Sequence, residues 1–120
     1  MREFKCHEIS QASGRIRLTL SAWPVGAGLQ VMLTGGKAHI GAVALATGQD
    51  KARALELAGH REGDLACELA GLLASELDCA VALTCGIHYD AISAAEIATA
   101  LALTKSLAQE LLRSLRQKGS

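Results

Sequence analysis

The chain has 120 residues, a formal net charge of zero from twelve basic and twelve acidic side chains, and half its residues are hydrophobic. Only Phe4, Trp23 and Tyr89 are aromatic, while Ala and Leu make up about a third of the chain. This composition excludes disorder, a phosphate-neutralising nucleic-acid binder and a single-strand binder built on aromatic stacking. The length suits one domain, 1–120, burying roughly two thirds of the unfolded chain's surface.

The N-terminus alternates in charge and carries no apolar signal-peptide centre. No stretch reaches the roughly 18 consecutive apolar residues of a membrane span. The expectation is a cytoplasmic protein with no membrane partner, whose four cysteines are reduced thiols. Cys6, Cys67, Cys79 and Cys85 are spaced 61, 12 and 6 apart, matching no zinc or CxxC pattern. They read as small buried hydrophobes.

In chain order, residues 3–9 give a weak strand, with His7 on its polar face, and the turn falls at Gln11-Ala12-Ser13-Gly14. Residues 15–22 alternate Arg15-Ile16-Arg17-Leu18-Thr19-Leu20-Ser21-Ala22, with one wet and one dry face. After Trp23-Pro24 and Gly26-Ala27-Gly28, residues 29–33 alternate again. Gly35-Gly36-Lys37 predicts a tight turn into a strand from His39 to Ala46. That strand is apolar or small on both faces, which places it centrally in the sheet. Residues 49–58 admit either a short helix or an edge strand at 53–57.

Helical spacing of Leu65, Leu69, Leu72, Leu73 and Leu77 predicts a helix over 62–77. Residues 79–85 form a short apolar run read as a buried strand, followed by a loop at 86–90. Ser93 and Glu96 form a capping box that opens the last helix. Its stripe is Ile97, Leu101, Thr104, Ala108, Leu111 and Leu115. Between Ala94 and Leu103 only Glu96 is strongly polar, so this helix lacks a wet side in its first turns. Either loops of the same chain cover this side or a second copy does; we read it as the second copy, a homodimer.

Glycine and histidine carry the chemistry. Gly26-Ala27-Gly28 precedes a strand, and Gly35-Gly36-Lys37 is followed by Ala38 where a phosphate loop needs Ser or Thr. Neither is a nucleotide motif. Gly35-Gly36 reads either as a hairpin needing positive φ or as a place where a ligand or partner approaches the backbone. His39, His60 and His88 each lie beside or one residue from glycine, at element boundaries that converge on one end of a sheet. With Glu62 or Asp90 they can serve as acid-base groups, as metal ligands or as hydrogen-bonded loop residues. Cys85 is the nearest thiol to His88, but it ends an apolar strand. Asp90 turns the loop or orients His88.

Three segments together resemble a known family: Thr34-Gly35-Gly36 through His39-Ile40-Gly41-Ala42-Val43-Ala44-Leu45, Gly59-His60-Arg61-Glu62, and Gly86-Ile87-His88-Tyr89-Asp90 with Glu96-Ile97. It is the family of the small D subunit of gallate decarboxylase, the prenylated-flavin chaperone-like domains, and the resemblance spans about residues 28–112. It implies a fold like that of the small proteasome assembly chaperones, usually dimeric, and tips 53–57 towards a strand. It also implies a role in assisting a large decarboxylase subunit that uses prenylated FMN. The region 47–58 departs from the family by its alanine and charge.

The expectations are therefore these. The fold is α+β, a largely antiparallel sheet in the order βββββαβα, a meander with two helices on one face. The chain is a non-enzymatic accessory protein for maturation or prenylated FMN loading of an aromatic acid decarboxylase, holding the cofactor transiently. The cofactor-binding residues are Gly35, Gly36, His39, His60, Arg61, Glu62, His88 and Asp90. Backbone amides near Gly35-Gly36, with His39, His60 and Arg61, are the contacts for a flavin phosphate or an acidic partner loop. The rival readings are an assembly chaperone with no small ligand, and a small enzyme using His39, His60, His88 and Glu62 with or without a metal.

Overall fold

The structure, a computed structural model, describes residues 6–59 and 62–119. Its elements follow as β1 (His7–Ser13), β2 (Ile16–Val25), β3 (Gly28–Gly36), β4 (Ala42–Ala46), β5 (Arg53–Glu56), α1 (Gly63–Leu77), β6 (Val81–His88) and α2 (Ala94–Gly119). The βββββαβα succession is the expected one, and 53–56 is a strand.

The sheet is mixed rather than a meander. Its order is β1-β2-β3-β6-β4-β5, with β3 and β6 parallel and the other neighbours antiparallel. The last strand enters the middle of the sheet because α1 carries the chain back across it, as a parallel pair requires. The first hairpin turns at Gly14-Arg15, beyond the expected site, so Arg15 leaves the strand. β4 starts only at Ala42, and β6 continues through His88, which was expected in a loop.

One face of the sheet is the core. Ile16, Leu18, Leu20 and Ala22 of β2, Leu29, Val31 and Leu33 of β3, and Val81, Leu83 and Cys85 of β6 are all buried. The register aligns them in rows: Leu20 opposite Leu33, Leu33 opposite Cys85, Cys85 opposite Ala42. Both helices cover this face, α1 over β4, β5 and β6, and α2 over β1 and β2. Helix α1 packs through Ala66, Ala70 and Ala74 as well as Leu69, Leu73 and Leu77, while Leu72 of the expected stripe is exposed. The alanines let α1 sit close to the small Ala42, Ala44 and Ala46 of β4. Helix α2 buries Thr104, Leu107, Ala108, Leu111, Leu112 and Leu115, but Ile97 and Leu101 lie outside the stripe and face solvent. His7 points to the covered side, opposite Ala22, and its Nε2 is buried without a hydrogen bond among the described residues.

The opposite face is open. Its rows read Thr19–Thr34–Gly86, then Ser21–Met32–Thr84–Val43–Leu55, then Trp23–Gln30–Ala82–Leu45–Arg53. Leu55 and Leu45 are 77% and 59% exposed. The two-sided apolar character of β4 therefore reflects an uncovered surface; β4 lies one strand in from the edge, and β3 and β6 are the central pair. No helix among the described residues is long and apolar enough to cross a membrane. Of the cysteines only Cys85 is buried, and Cys6 is exposed.

Candidate functional site

The polar end of the open face is built where β3 and β6 finish side by side. Gly36 pairs with His88 in the parallel register. The chain then runs from Lys37 to Gly41 alongside β6, with Lys37 N–H donating to the His88 carbonyl and Gly41 N–H to the Cys85 carbonyl, both at 2.9 Å. This path lays the His39 backbone directly over Gly86, where a Cβ would overlap the His39 carbonyl. Gly36 has φ +64° and a Cβ there would overlap the His88 carbonyl. Gly35 and Gly36 are thus no hairpin: β3 ends here beside β6, and the side of each backbone where a Cβ would stand is filled by its neighbours. Gly35 is glycine because Leu18 occupies the space of a side chain.

His39 is fixed by its surroundings. Its Nδ1 lies 3.1 Å from the Lys37 carbonyl and its Nε2 3.2 Å from Oε2 of Glu62. Glu62 immediately precedes α1, and its carbonyl accepts the Ala66 N–H that begins the helix. The same carboxylate accepts the Ile87 N–H at 3.4 Å and occupies the room that Gly41 leaves by lacking a side chain. His88 pairs with Asp90, Nε2 to Oδ1 at 3.1 Å. The two imidazoles meet edge to face, with centroids 6.2 Å apart and planes at 83°. Asp90 thus orients His88 as well as shaping the loop.

Four of the expected residues, His39, Glu62, His88 and Asp90, therefore form one linked cluster, with Gly36 beside it. His60 and Arg61 lie outside the described residues. A shallow hollow of about 270 Å³ opens between Lys37, Ala38, His39 and His88. Among the described residues no three His, Cys, Asp or Glu side chains converge to hold a metal. Burial, with the charge of Glu62 adding to it, pushes the Cys85 thiol up to about 12 from 9.0. It is a core side chain and no thiolate nucleophile.

Next to this cluster is a second hollow, of which sequence reading had named only Gly35 and Gly36 as site residues. It measures about 340 Å³ and is lined by Arg15, Arg17, Thr19, Thr34, Gly35, Gly36 and Tyr89. Tyr89 O–H donates to the Arg17 carbonyl at 2.7 Å and accepts the Arg17 N–H at 2.8 Å, tying β2 to the end of β6. Arg15 is committed: it donates to both oxygens of Glu96, at 2.7 and 3.0 Å, and to the Asp90 carbonyl at 2.8 Å. The signal was present as two arginines on the wet side of the first alternating segment. What was not legible is that β6 ends against them.

Residues 12–116 match the family model described as the prenylated flavin chaperone LpdD-like domain. The chain belongs to this family. No curated protein matches it. Among solved structures, a chain from the crystal structure of a chaperone complex for yeast 20S proteasome assembly superposes with a TM-score of 0.61. That match covers 92% of this chain and 97% of the other at 13% identity, a likeness of fold alone. The resemblance read in the glycine-histidine segments thus holds for both family and fold. The family is one of chaperone domains, which points away from catalysis.

Proposed function

We propose that the chain is a non-enzymatic accessory protein that transiently holds prenylated FMN and helps load it into a large subunit of a prenylated-flavin-dependent aromatic acid decarboxylase. The observation that carries this reading is the family match across residues 12–116. In this reading His39, Glu62, His88 and Asp90, with Gly35 and Gly36 beside them, frame the cofactor's place; His60 and Arg61, outside the described residues, belong to the proposal by sequence alone.

The described residues suit such a group in two respects. The glycines at 36, 41 and 86 keep the end of the sheet free of side chains where His39 and Glu62 fold over it. The neighbouring open face supplies Met32, Val43, Leu45 and Leu55 as apolar surface. Strong aromatic stacking is not offered: Trp23 lies at the far end of β2, and the Tyr89 hydroxyl is tied to the Arg17 backbone. This favours a temporary hold over permanent retention. The decarboxylation chemistry belongs to the cofactor in its enzyme; this chain's residues bind and orient.

A homodimer in the cytoplasm remains part of the reading. Ile97 and Leu101 are exposed on α2, and Leu101 borders a groove of about 230 Å³ between α1 and α2 that also includes Leu65, Leu69 and Leu72. The same exposed apolar surfaces support the second reading, an assembly chaperone with no small ligand. Co-expression separates the two. A decarboxylase large subunit produced with this chain should carry more prenylated FMN than one produced alone. Equal occupancy, with a stable complex of the two proteins, supports assembly without cofactor handling.

A further inference from the structure

We propose that the hollow formed by Arg17, Thr19, Thr34 and Gly36 is a phosphomonoester site. The sequence reading set a flavin phosphate near the Gly35-Gly36 amides but named neither Arg17 nor the two threonines, and the argument begins with charge. The hollow carries two guanidinium groups and no carboxylate on its walls. Arg15 is neutralised by Glu96. Among the described residues no carboxylate pairs with Arg17. An unopposed, fork-shaped donor is the natural partner of a planar face of a phosphate.

Position is the second argument. The Tyr89 hydroxyl holds both the N–H and the carbonyl of Arg17, so the backbone beneath this side chain is fixed from two sides. Thr19 and Thr34 are direct cross-strand partners, which sets both side chains on one face of the sheet within the same hollow. The Thr19 hydroxyl shares a 2.7 Å hydrogen bond with Ser10 in which either can be the donor, so it can turn its proton outward. Gly36 adds no side chain to the floor. Guanidinium and hydroxyl donors together satisfy an anion with three terminal oxygens, whereas a carboxylate would occupy the arginine alone.

The hollow adjoins the His39–His88 cluster through Gly36 and Tyr89, which neighbour His88 in the sheet and in the chain. What bears the phosphate rests on the reading above, in which it is the prenylated flavin. The anion site itself rests on Arg17 and the two threonines.

The test is calorimetric titration of the full chain with inorganic phosphate, FMN, riboflavin and prenylated FMN, repeated with R17A, R17K and T34V. Arg17 is exposed, so an unchanged thermal melt is expected for R17A, and T34V serves as an independent variant. FMN should bind about tenfold or more tightly than riboflavin, and R17A should remove that advantage while leaving riboflavin unaffected. R17K should recover only part of it. Equal binding of FMN and riboflavin, or FMN binding unchanged in R17A and T34V, overturns the site. Absence of phosphate and FMN binding up to ~10 mM overturns it too. If R17A binds FMN and prenylated FMN as tightly as the parent and keeps the preference for the prenylated form, the cofactor reading stands and this site falls. If phosphate and FMN depend on Arg17 but the prenyl group adds nothing, the site stands and the cofactor reading falls. Displacement of FMN by a poly-glutamate peptide that binds Arg17 more tightly overturns the small-molecule assignment in favour of a protein contact.

Discussion

Arg15 and Glu96 stand 81 residues apart in the chain, yet the guanidinium of one grips both oxygens of the other, at 2.7 and 3.0 Å. Glu96 is also the closing residue of the capping box, three positions after Ser93. Its carboxylate accepts the Ser93 N–H at 3.0 Å, while the Ser93 hydroxyl accepts the Glu96 N–H at 3.0 Å. One side chain thereby joins the first hairpin to the start of α2. The Arg15 hydrogen bond, then that of the Ser93 backbone, holds the Glu96 carboxyl down at about 2, from 4.5.

A depressed carboxyl stabilises the fold above its unfolded value, and that contribution disappears as pH falls through the folded one. Stability from Glu96 is therefore present above pH 4.5 and lost towards pH 2. Urea midpoints measured from pH 7 to pH 2 should fall less steeply in Glu96→Gln than in the parent across that window. Parallel curves would show that the link contributes nothing.

Gly86→Ala should be among the most damaging single changes, because the new methyl would overlap the His39 carbonyl, a backbone atom with little freedom to yield. A loss of about 3 kcal/mol or more is expected from such overpacking, read from denaturant unfolding. Gly14→Ala is the control. That glycine has φ +59° but open space around it, so only the left-handed strain of roughly 1–2 kcal/mol applies. Similar losses for both would mean that the 37–41 segment moves aside.

Much of the fold was legible locally, and much of the site was not. Arg15 to Ala22 announced β2 by alternation, and Ser93 with Glu96 announced α2. Three features depended on distant partners. The insertion of β6 between β3 and β4 is a matter of which strand edge remains free, and neither segment encodes that alone. The Ala66, Ala70 and Ala74 face of α1 was hidden because leucines dominate any reading of apolar spacing, although alanines fit closer to β4. His39 and His88 meet because Gly36 pairs with His88, a register set by the whole β3–β6 ladder. Arg17 was visible only as a wet-face residue, since its hollow exists once Tyr89 arrives from the other half of the chain.

Thiol chemistry should separate the cysteines sharply. At pH 8 Cys85, with its thiol at about 12, has on the order of one thiolate in ten thousand, and it is buried as well. Alkylation followed by mass spectrometry should label exposed Cys6 first and Cys85 last, at the rate of unfolding. Because the folded value lies above the unfolded 9.0, stability from the neutral thiol is complete below pH 9 and lost as pH rises through about 12. Rapid labelling of Cys85 in the folded protein would contradict its place in the core.

The exposed start of α2 makes a separate demand. If a second copy covers Ile97 and Leu101, Leu101→Glu should give a monomer by sedimentation velocity with an unchanged melting temperature per protomer. By contrast Leu111→Ala, at a fully buried position of the same helix, should cost about 2–5 kcal/mol without changing the interface. A parent protein that is monomeric at every concentration would remove the homodimer.

The most direct measurement is a binding titration of the purified chain with prenylated FMN and with FMN, alongside His39→Ala and His88→Ala. Saturable binding that favours the prenylated form and weakens about tenfold in both variants is the expected result. Binding too weak to detect at about millimolar prenylated FMN, or identical binding in the parent and both histidine variants, would contradict a cofactor-handling role at the His39–His88 cluster.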